Sequence, residues 1–362
     1  MVNTMVRKLS SLTKHTAHTT TIIFIIGFIF DVVMLPDIDH LITRYIGLAH
    51  ICIVAFFIMF REWVISRNTA SDFEKRLYSI SSFFIAFSSG AALSFIFVYS
   101  MRSAEFSASW PLFVMLLICI IANEFVDTHN FRFTLDVGIL LIAVLFFIIF
   151  NTPLILKVQN DVIFSLSIGI SIFVSFIYLY LLQFSSESAR AEVPKAYSLA
   201  LGIPMFVFML YFLNVIPAVP LSLKSSGVYH SVIRTSDGEF VAVQENDTRI
   251  LKKYRTSIHH VSLLDDGVYF FSNIDTPAEL TAPISHVWEK YDTNTHLWNV
   301  ITSVSFDIKG GRESGYRAYS KKENIEEGLW RVTVKIGENR VIGREKFEII
   351  KSESVEVKEI KL

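Results

Sequence analysis

Seven mostly apolar stretches fill the first 220 residues of this 362-residue chain and limit its fold more than any other feature. A helix crossing a bilayer core about 30 Å thick needs roughly 20 such residues. The stretches run over about Thr20–Leu35, Leu41–Phe60, Tyr78–Ser100, Pro111–Val126, Thr134–Phe150, Val162–Phe184 and Leu199–Val219. The first and fourth are short, which leaves six spans or a re-entrant segment open. Composition separates this part from the remainder. Residues 1–220 hold 13 Lys/Arg, 13 Asp/Glu and 27 of the 32 Phe, whereas the last 142 hold 20, 21 and 5. A single soluble domain does not have this asymmetry. Neither part has the net positive charge that phosphate neutralisation needs, so no nucleic-acid partner is expected. Cys52 and Cys119 both sit in apolar runs, which excludes a disulfide scaffold.

The first stretch follows Arg7, Lys8 and Lys14 as a signal peptide would, yet it continues into Met34–His40 without a small-x-small cleavage pattern. It therefore reads as a retained span. Counting Lys and Arg in alternate connectors gives the orientation. One side carries Arg7, Lys8, Lys14, Arg61, Arg67, Lys75, Arg76, Arg132, Arg190 and Lys195, ten in all. The other carries Arg102 and Lys157, or three cations if Arg44 is included. That bias puts the N-terminus in the cytoplasm. Seven crossings then carry the C-terminal part to the opposite, external face, where the lack of cysteine suits an oxidising compartment.

Polar residues within the apolar stretches are costly, at least about 2.5–3.5 kcal/mol for a charge at mid-bilayer. Asp31, His50, Asn123, Glu124, Asp127 and Asp136 are the candidates. Glu124 and Asp127 lie on consecutive turns of one helix face, followed by His129 and Arg132. One reading makes His50, Glu124 and Asp127 a proton relay or small intramembrane site. The other makes the acids interfacial residues that pair with Arg132 or meet solvent, and His50 a helix-packing donor. Ser88-Ser89-Gly90-Ala91-Ala92 permits close helix approach and reads as a packing seam. The two halves of the span region show no paired interruptions of the kind that mark transporter repeats.

From Gly227 onward the apolar period changes to two, as in half-buried strands. In Val300–Ile308, Val300, Val304, Phe306 and Ile308 are expected on one face, with Ser303, Ser305 and Asp307 on the other. Trp330, Val332, Val334 and Ile336 alternate in the same way with Arg331, Thr333 and Lys335. Gly310-Gly311 and Gly337–Arg340 read as turns. Short strands at this spacing suggest an antiparallel sandwich. The expected fold is thus an α-helical transmembrane bundle of about seven spans followed by an all-β, sandwich-like antiparallel domain. A tail (1–19) precedes the helical domain (20–220). A linker or extra strands (221–260) lead to the β domain (261–350), and an edge strand or tail (351–362) ends the chain.

Several segments of the β domain occur together: Gly267–Ile274, Ile284-Ser-His-Val-Trp288, Tyr316-Arg-Ala-Tyr-Ser320, Gly328-Leu-Trp-Arg-Val332, and Ile342-Gly-Arg344 followed by Phe347. Over about residues 261–350 this resembles the bacterial domain-of-unknown-function 2914 family. The resemblance implies a location beside a bacterial membrane anchor and supplies no chemistry or catalytic residues.

His286 and Trp288 are two apart and so share a strand face, with Trp298 and Trp330 adding aromatic area and Arg312, Arg317, Arg331 and Arg344 nearby in sequence. One reading is a surface for an envelope glycan or other anionic ligand, an aromatic platform with arginine forks. The other places the tryptophans in the core and the arginines among neutralising glutamates. Neither part of the chain carries a catalytic constellation, a metal-ligand spacing or a cofactor motif. The expectation is a non-enzymatic, multi-pass inner-membrane protein without cofactor. It would sit in the lipid bilayer and display a periplasmic β domain that binds an envelope glycan or a periplasmic protein. The alternative is a transporter or intramembrane enzyme with its site among the helices.

Overall fold

The computed structural model describes residues 17–34, 41–67, 71–101, 106–125, 129–213, 221–245, 259–263, 267–275, 281–309, 315–337, 340–351 and 356–362. The chain divides near residue 220 into two compact units, one helical and one built of strands.

The helical unit contains α1 (Ala17–Met34), α2 (Leu41–Ser66), α3 (Asp72–Met101), α4 (Phe106–Phe125), α5 (His129–Leu156), α6 (Asp161–Leu182) and α7 (Glu187–Phe212). Five segments are long and apolar enough to cross a membrane: Leu41–Ser66, Asp72–Val98, Phe131–Leu156, Asp161–Leu182 and Glu187–Phe212. Thr19–Met34 and Phe113–Asn123 form shorter apolar helices. Apolar side chains also cover the outside of this unit, with Val33, Phe56, Val162, Phe173 and Phe206 each more than half exposed. Such a surface suits an apolar surrounding and marks a membrane or partner contact.

Helix α7 begins well before Leu199, where its apolar stretch was expected to start. Ser186 caps it, its Oγ accepting from the Ala189 N–H at 2.8 Å. Glu192 and Lys195, one turn apart, then pair at 2.8 Å and carry the charged first turns.

The Ser88–Ala92 seam is buried where α3 crosses α1. A Cβ on Gly90 would stand 1.9 Å from the Phe24 carbonyl oxygen, and one on Gly27 would stand 2.2 Å from that of Phe87. Only glycine at both positions allows the backbones to approach this closely. Gly169 on α6 has nothing within 4 Å and serves as a control.

The second unit contains β1 (Ser222–Tyr229), β2 (Ser231–Arg234), β3 (Phe240–Glu245), β4 (His259–Leu263), β5 (Gly267–Asp275), β6 (Thr281–Asp292), β7 (Leu297–Lys309), β8 (Tyr316–Glu323), β9 (Gly328–Ile336), β10 (Arg340–Lys351) and β11 (Val357–Lys361). Residues 222–245, open to reading as a linker, form the first three strands. The sheets have the orders β1-β5-β8, β4-β10-β9-β6-β7 and β11-β3-β2. Pairing is antiparallel except between β4 and β10, which run parallel. The β2–β3 hairpin turns at Gly238, whose φ of +82° suits glycine, and its N–H bonds the Thr235 carbonyl at 3.0 Å.

Strand β9 buries the apolar residues of its sequence pattern, Trp330, Val332, Val334 and Ile336, and Thr333 on the other face is buried as well. Strand β7 does not follow its pattern. Trp288 on β6 pairs with Thr302 and Glu289 with Val300, so Ile301 is a bulge without a partner. A bulge reverses the facing of everything on one side of it. Val300 therefore joins Ser303 and Ser305 rather than Val304, and it is 60% exposed. The Gly310-Gly311 turn lies outside the described residues.

Gly90→Ala should destabilise the helical unit by roughly 2–3 kcal/mol, at the upper part of the range for overpacking, because the clash is with backbone. Gly169→Ala should be neutral or slightly stabilising. Thermal unfolding of the full-length protein in detergent reads both.

Candidate functional site

Charged and polar side chains of the helical unit gather at the end where α2 and α6 finish and α3, α5 and α7 begin. Asp136 on α5 meets two guanidiniums, Arg61 Nη1 at 3.4 Å and Arg132 Nε at 3.1 Å. Arg132 also donates to the Asn123 carbonyl at 3.3 Å. The neighbouring Glu62 is buried and accepts from the Ser186 hydroxyl at 2.6 Å, so the residue that caps α7 also ties it to α2. The Tyr178 hydroxyl donates to the Ala55 carbonyl at 3.1 Å, and Arg61 lies over the Tyr78 ring. Ile58, Arg61, Glu62, Phe133 and Asp136 line a cleft of about 10 Å³, room for one water. Mutual pairing is what lets such groups leave water.

Of the three helical residues singled out in sequence, His50 packs against α1. Its Nε2 lies 3.6 Å from Asp31 Oδ1, with the Phe87 ring 6.0 Å away. Asp31 Oδ2 and His50 Nδ1 are buried without a hydrogen-bond partner among the described residues. The Glu124 side chain and Asp127 lie outside the described residues. Asn123, beside Glu124, donates to Thr21 Oγ1 at 3.0 Å, ten positions before Asp31 on α1.

In the β unit, His286 and Trp288 do not form a surface, because neither is exposed. This differs from the platform reading, and the cause is the register of β6. Both side chains point toward β5 and β8, where Phe270 lies 4.8 Å from the imidazole and 6.3 Å from the indole. The imidazole bridges two hydroxyls, Nε2 to Ser272 Oγ at 2.8 Å and Nδ1 to Ser320 Oγ at 3.0 Å. The Trp288 indole N–H donates to the same Ser320 oxygen at 3.0 Å. A neutral imidazole donates to one hydroxyl and accepts from the other, so the network is satisfied without charge. Burial holds the His286 pKa down at about 3. A serine hydroxyl against an imidazole also occurs in nucleophilic catalysis. Here Ser320, not a carboxylate, meets the second ring nitrogen, and burial keeps substrate from Ser272. The arrangement is a core element.

The opposite face of the five-stranded sheet carries different chemistry. Arg331 on β9 grips Glu289 on β6 through two bonds of 2.7 Å, and Thr333 adds a third donor at 2.6 Å. Burial alone would push the Glu289 carboxyl up. The Arg331 and Thr333 hydrogen bonds outweigh it and hold the pKa below the ordinary glutamate value. Trp298, turned to this face by the Ile301 bulge, lies against Arg331 at 4.4 Å and Tyr291 at 5.2 Å, with the Lys346 ammonium 6.0 Å from its ring. Arg317, on β8, pairs instead with Glu239 at 2.9 Å. Arg344 is exposed on β10, on the same face as Lys346. Of the five residues proposed as a ligand surface, Arg331 and Arg344 share this face, and Trp298 takes the aromatic place assigned to Trp288. The alternation rule gave no signal for Trp298, since the bulge that turns it outward leaves no mark in the residue pattern.

His286 makes stability depend on pH. The folded protein keeps the ring neutral down to about pH 3, while the unfolded chain protonates it near 6.5. The unfolded state thus binds the extra proton, and stability falls as pH drops through that interval. By pH 5 the loss should reach roughly 2 kcal/mol, above the range where Glu289 titrates. Urea midpoints at pH 7.5 and pH 5 should differ by less in His286→Gln than in the unmutated protein.

No curated protein sequence matches the chain. Among solved structures, the Pseudomonas fluorescens alkylpurine DNA glycosylase AlkC, bound to DNA containing an abasic site analog, aligns with 77% of this chain and 73% of its own. The identity is 10% and the TM-score 0.19, a likeness too slight to bear on fold or activity. Residues 281–349, from β6 into β10 and including the Glu289–Arg331 pair, Trp298 and the buried His286, match the family model described as "Protein of unknown function (DUF2914)".

Proposed function

We propose that this chain is a multi-pass protein of the bacterial inner membrane. All seven helices cross the bilayer, with the N-terminus in the cytoplasm, and they anchor a periplasmic β-sandwich that binds an envelope ligand or protein. One observation carries the reading: the two units keep their polar chemistry in different places. In the helical unit Asp136, Arg61, Arg132, Glu62 and Ser186 spend their polarity on one another, while the outside is apolar. In the β unit the core is closed around Trp288 and Phe347, and the charged and aromatic groups face outward on one sheet.

Supporting points come from both units. Helices α1 and α4, at 18 and 20 residues, fall within the spanning range of about 17–25. In this orientation the Arg61–Asp136–Arg132 cluster lies at the cytoplasmic end, in line with the cation bias of the connectors. Phe270 against Trp288 is the contact expected between two facing sheets. A second reading, with the active site among the helices, draws on the Asp31–His50 pair and its buried polar atoms without partners.

Exchanging the helices separates the two. A chimera with residues 17–213 replaced by an unrelated single-span anchor, which exports the β unit, should correct the defect of a strain lacking the chain. A chimera exported at normal level that corrects nothing would assign the activity to the helices.

A further inference from the structure

We infer that the outer face of β6, β7, β9 and β10 is a binding site for a carboxylate-bearing envelope glycan, centred on Trp298. The inference rests on the periplasmic display proposed above and names its ligand class and residues.

Three observations converge on this face. The first is the aromatic surface. Trp298 is half-buried near the start of the edge strand β7, and Tyr291 stands against it, with the Tyr291 hydroxyl 3.1 Å from His296 Nδ1. A partly exposed indole beside polar donors can pack on the apolar face of a sugar ring while its neighbours bond the hydroxyls.

The second is unspent positive charge. Arg331 uses Nε and Nη2 on Glu289, and among the described residues its Nη1 makes no hydrogen bond. Lys335 and Lys346 project to the same face and form no ion pair among the described residues. The Glu289 carboxylate offsets the Arg331 charge and acts on Lys335 as well, which leaves Lys346 as the cation beside Trp298 that it does not balance. Charge complementarity therefore favours an anion over a neutral ligand or a basic protein.

The third is preorganisation. The Glu289–Arg331 fork fixes the guanidinium plane against the indole, so the remaining Nη1 donors are held beside the ring before anything binds. Arg331 Nη1 and the Lys346 ammonium flank Trp298, which suits a carboxylate attached to a sugar lying on the indole. The Ile301 bulge has a role in this account. Without it Trp298 would share the face of Thr302 and lie away from Arg331 and Lys346.

Full-length protein in nanodiscs, titrated with soluble muropeptides carrying free carboxylates and with the same compounds after carboxyl amidation, tests the site. The unmodified compounds should bind, and more weakly as salt rises. Trp298→Ala should weaken binding at least tenfold and Lys346→Glu at least threefold, with amidation causing a comparable loss. Lys346 is exposed, so its variant reports on the site even if Trp298→Ala fails to fold. Muropeptide binding that both variants and amidation leave unchanged would overturn this site while the display reading stands. Binding of phosphorylated lipopolysaccharide core in place of muropeptides would overturn the carboxylate assignment. An unmutated protein that binds no envelope glycan or protein in the same format would overturn the display reading itself.

Discussion

Asp136 stands between Arg61 and Arg132, and this three-group contact shows the constraint under which the rest of the molecule is built. A charge withdrawn from water needs an opposite charge or several hydrogen bonds, or it costs several kcal/mol. The helices meet that demand by converging. Residues from α2 and α5 form the ion cluster, Tyr78 of α3 and Tyr178 of α6 close its sides, and Ser186 caps α7 while holding Glu62. Removing one arginine would leave a buried carboxylate underbalanced and loosen several helices together. The β unit meets the same demand with Arg331 and Thr333 on the buried Glu289, and with neutral groups in its core, two serine hydroxyls and an indole N–H around one uncharged imidazole.

The partition of polarity that follows is the basis of the functional reading. Paired groups inside the helical unit are occupied with each other, and an exposed apolar exterior suits lipid. On the β unit, Trp298, Lys346 and Lys335 lie on an outer sheet face and are not consumed in that way. Asp31 and His50 are the exception among the helices, close together yet each with a polar atom lacking a hydrogen bond among the described residues. They are the place where a helix-based activity would begin.

Much of this was legible in the sequence. Runs of apolar residues located the helices, since length and composition alone decide whether a segment can cross a bilayer. Alternation located β9, where Trp330, Val332, Val334 and Ile336 are buried, although Thr333 on the other face is buried too, against Glu289. Long-range pairings were not legible. Arg61 and Asp136 are 75 positions apart, and Glu62 and Ser186 are 124 apart. In sequence Arg61 reads only as a charge setting an orientation, and Arg132 as such a charge or as a partner of nearby acids. The Ile301 bulge was hidden as well, because one extra residue in a strand changes no composition yet moves Trp298 and Val300 to the other face. His286 did carry a usable signal: it lies between Ile284 and Trp288 on one strand face, so their burial implies its own.

The account depends most on which side of the membrane the β unit occupies. A periplasm-dependent alkaline phosphatase and a cytoplasm-dependent green fluorescent protein, each fused after Leu362 in the full-length chain, measure this directly. The orientation argued from the connector charges predicts an active phosphatase and a dark fluorescent fusion. A bright fluorescent fusion with an inactive phosphatase would put Trp298 and its cations in the cytoplasm, away from any envelope glycan, and would contradict the account.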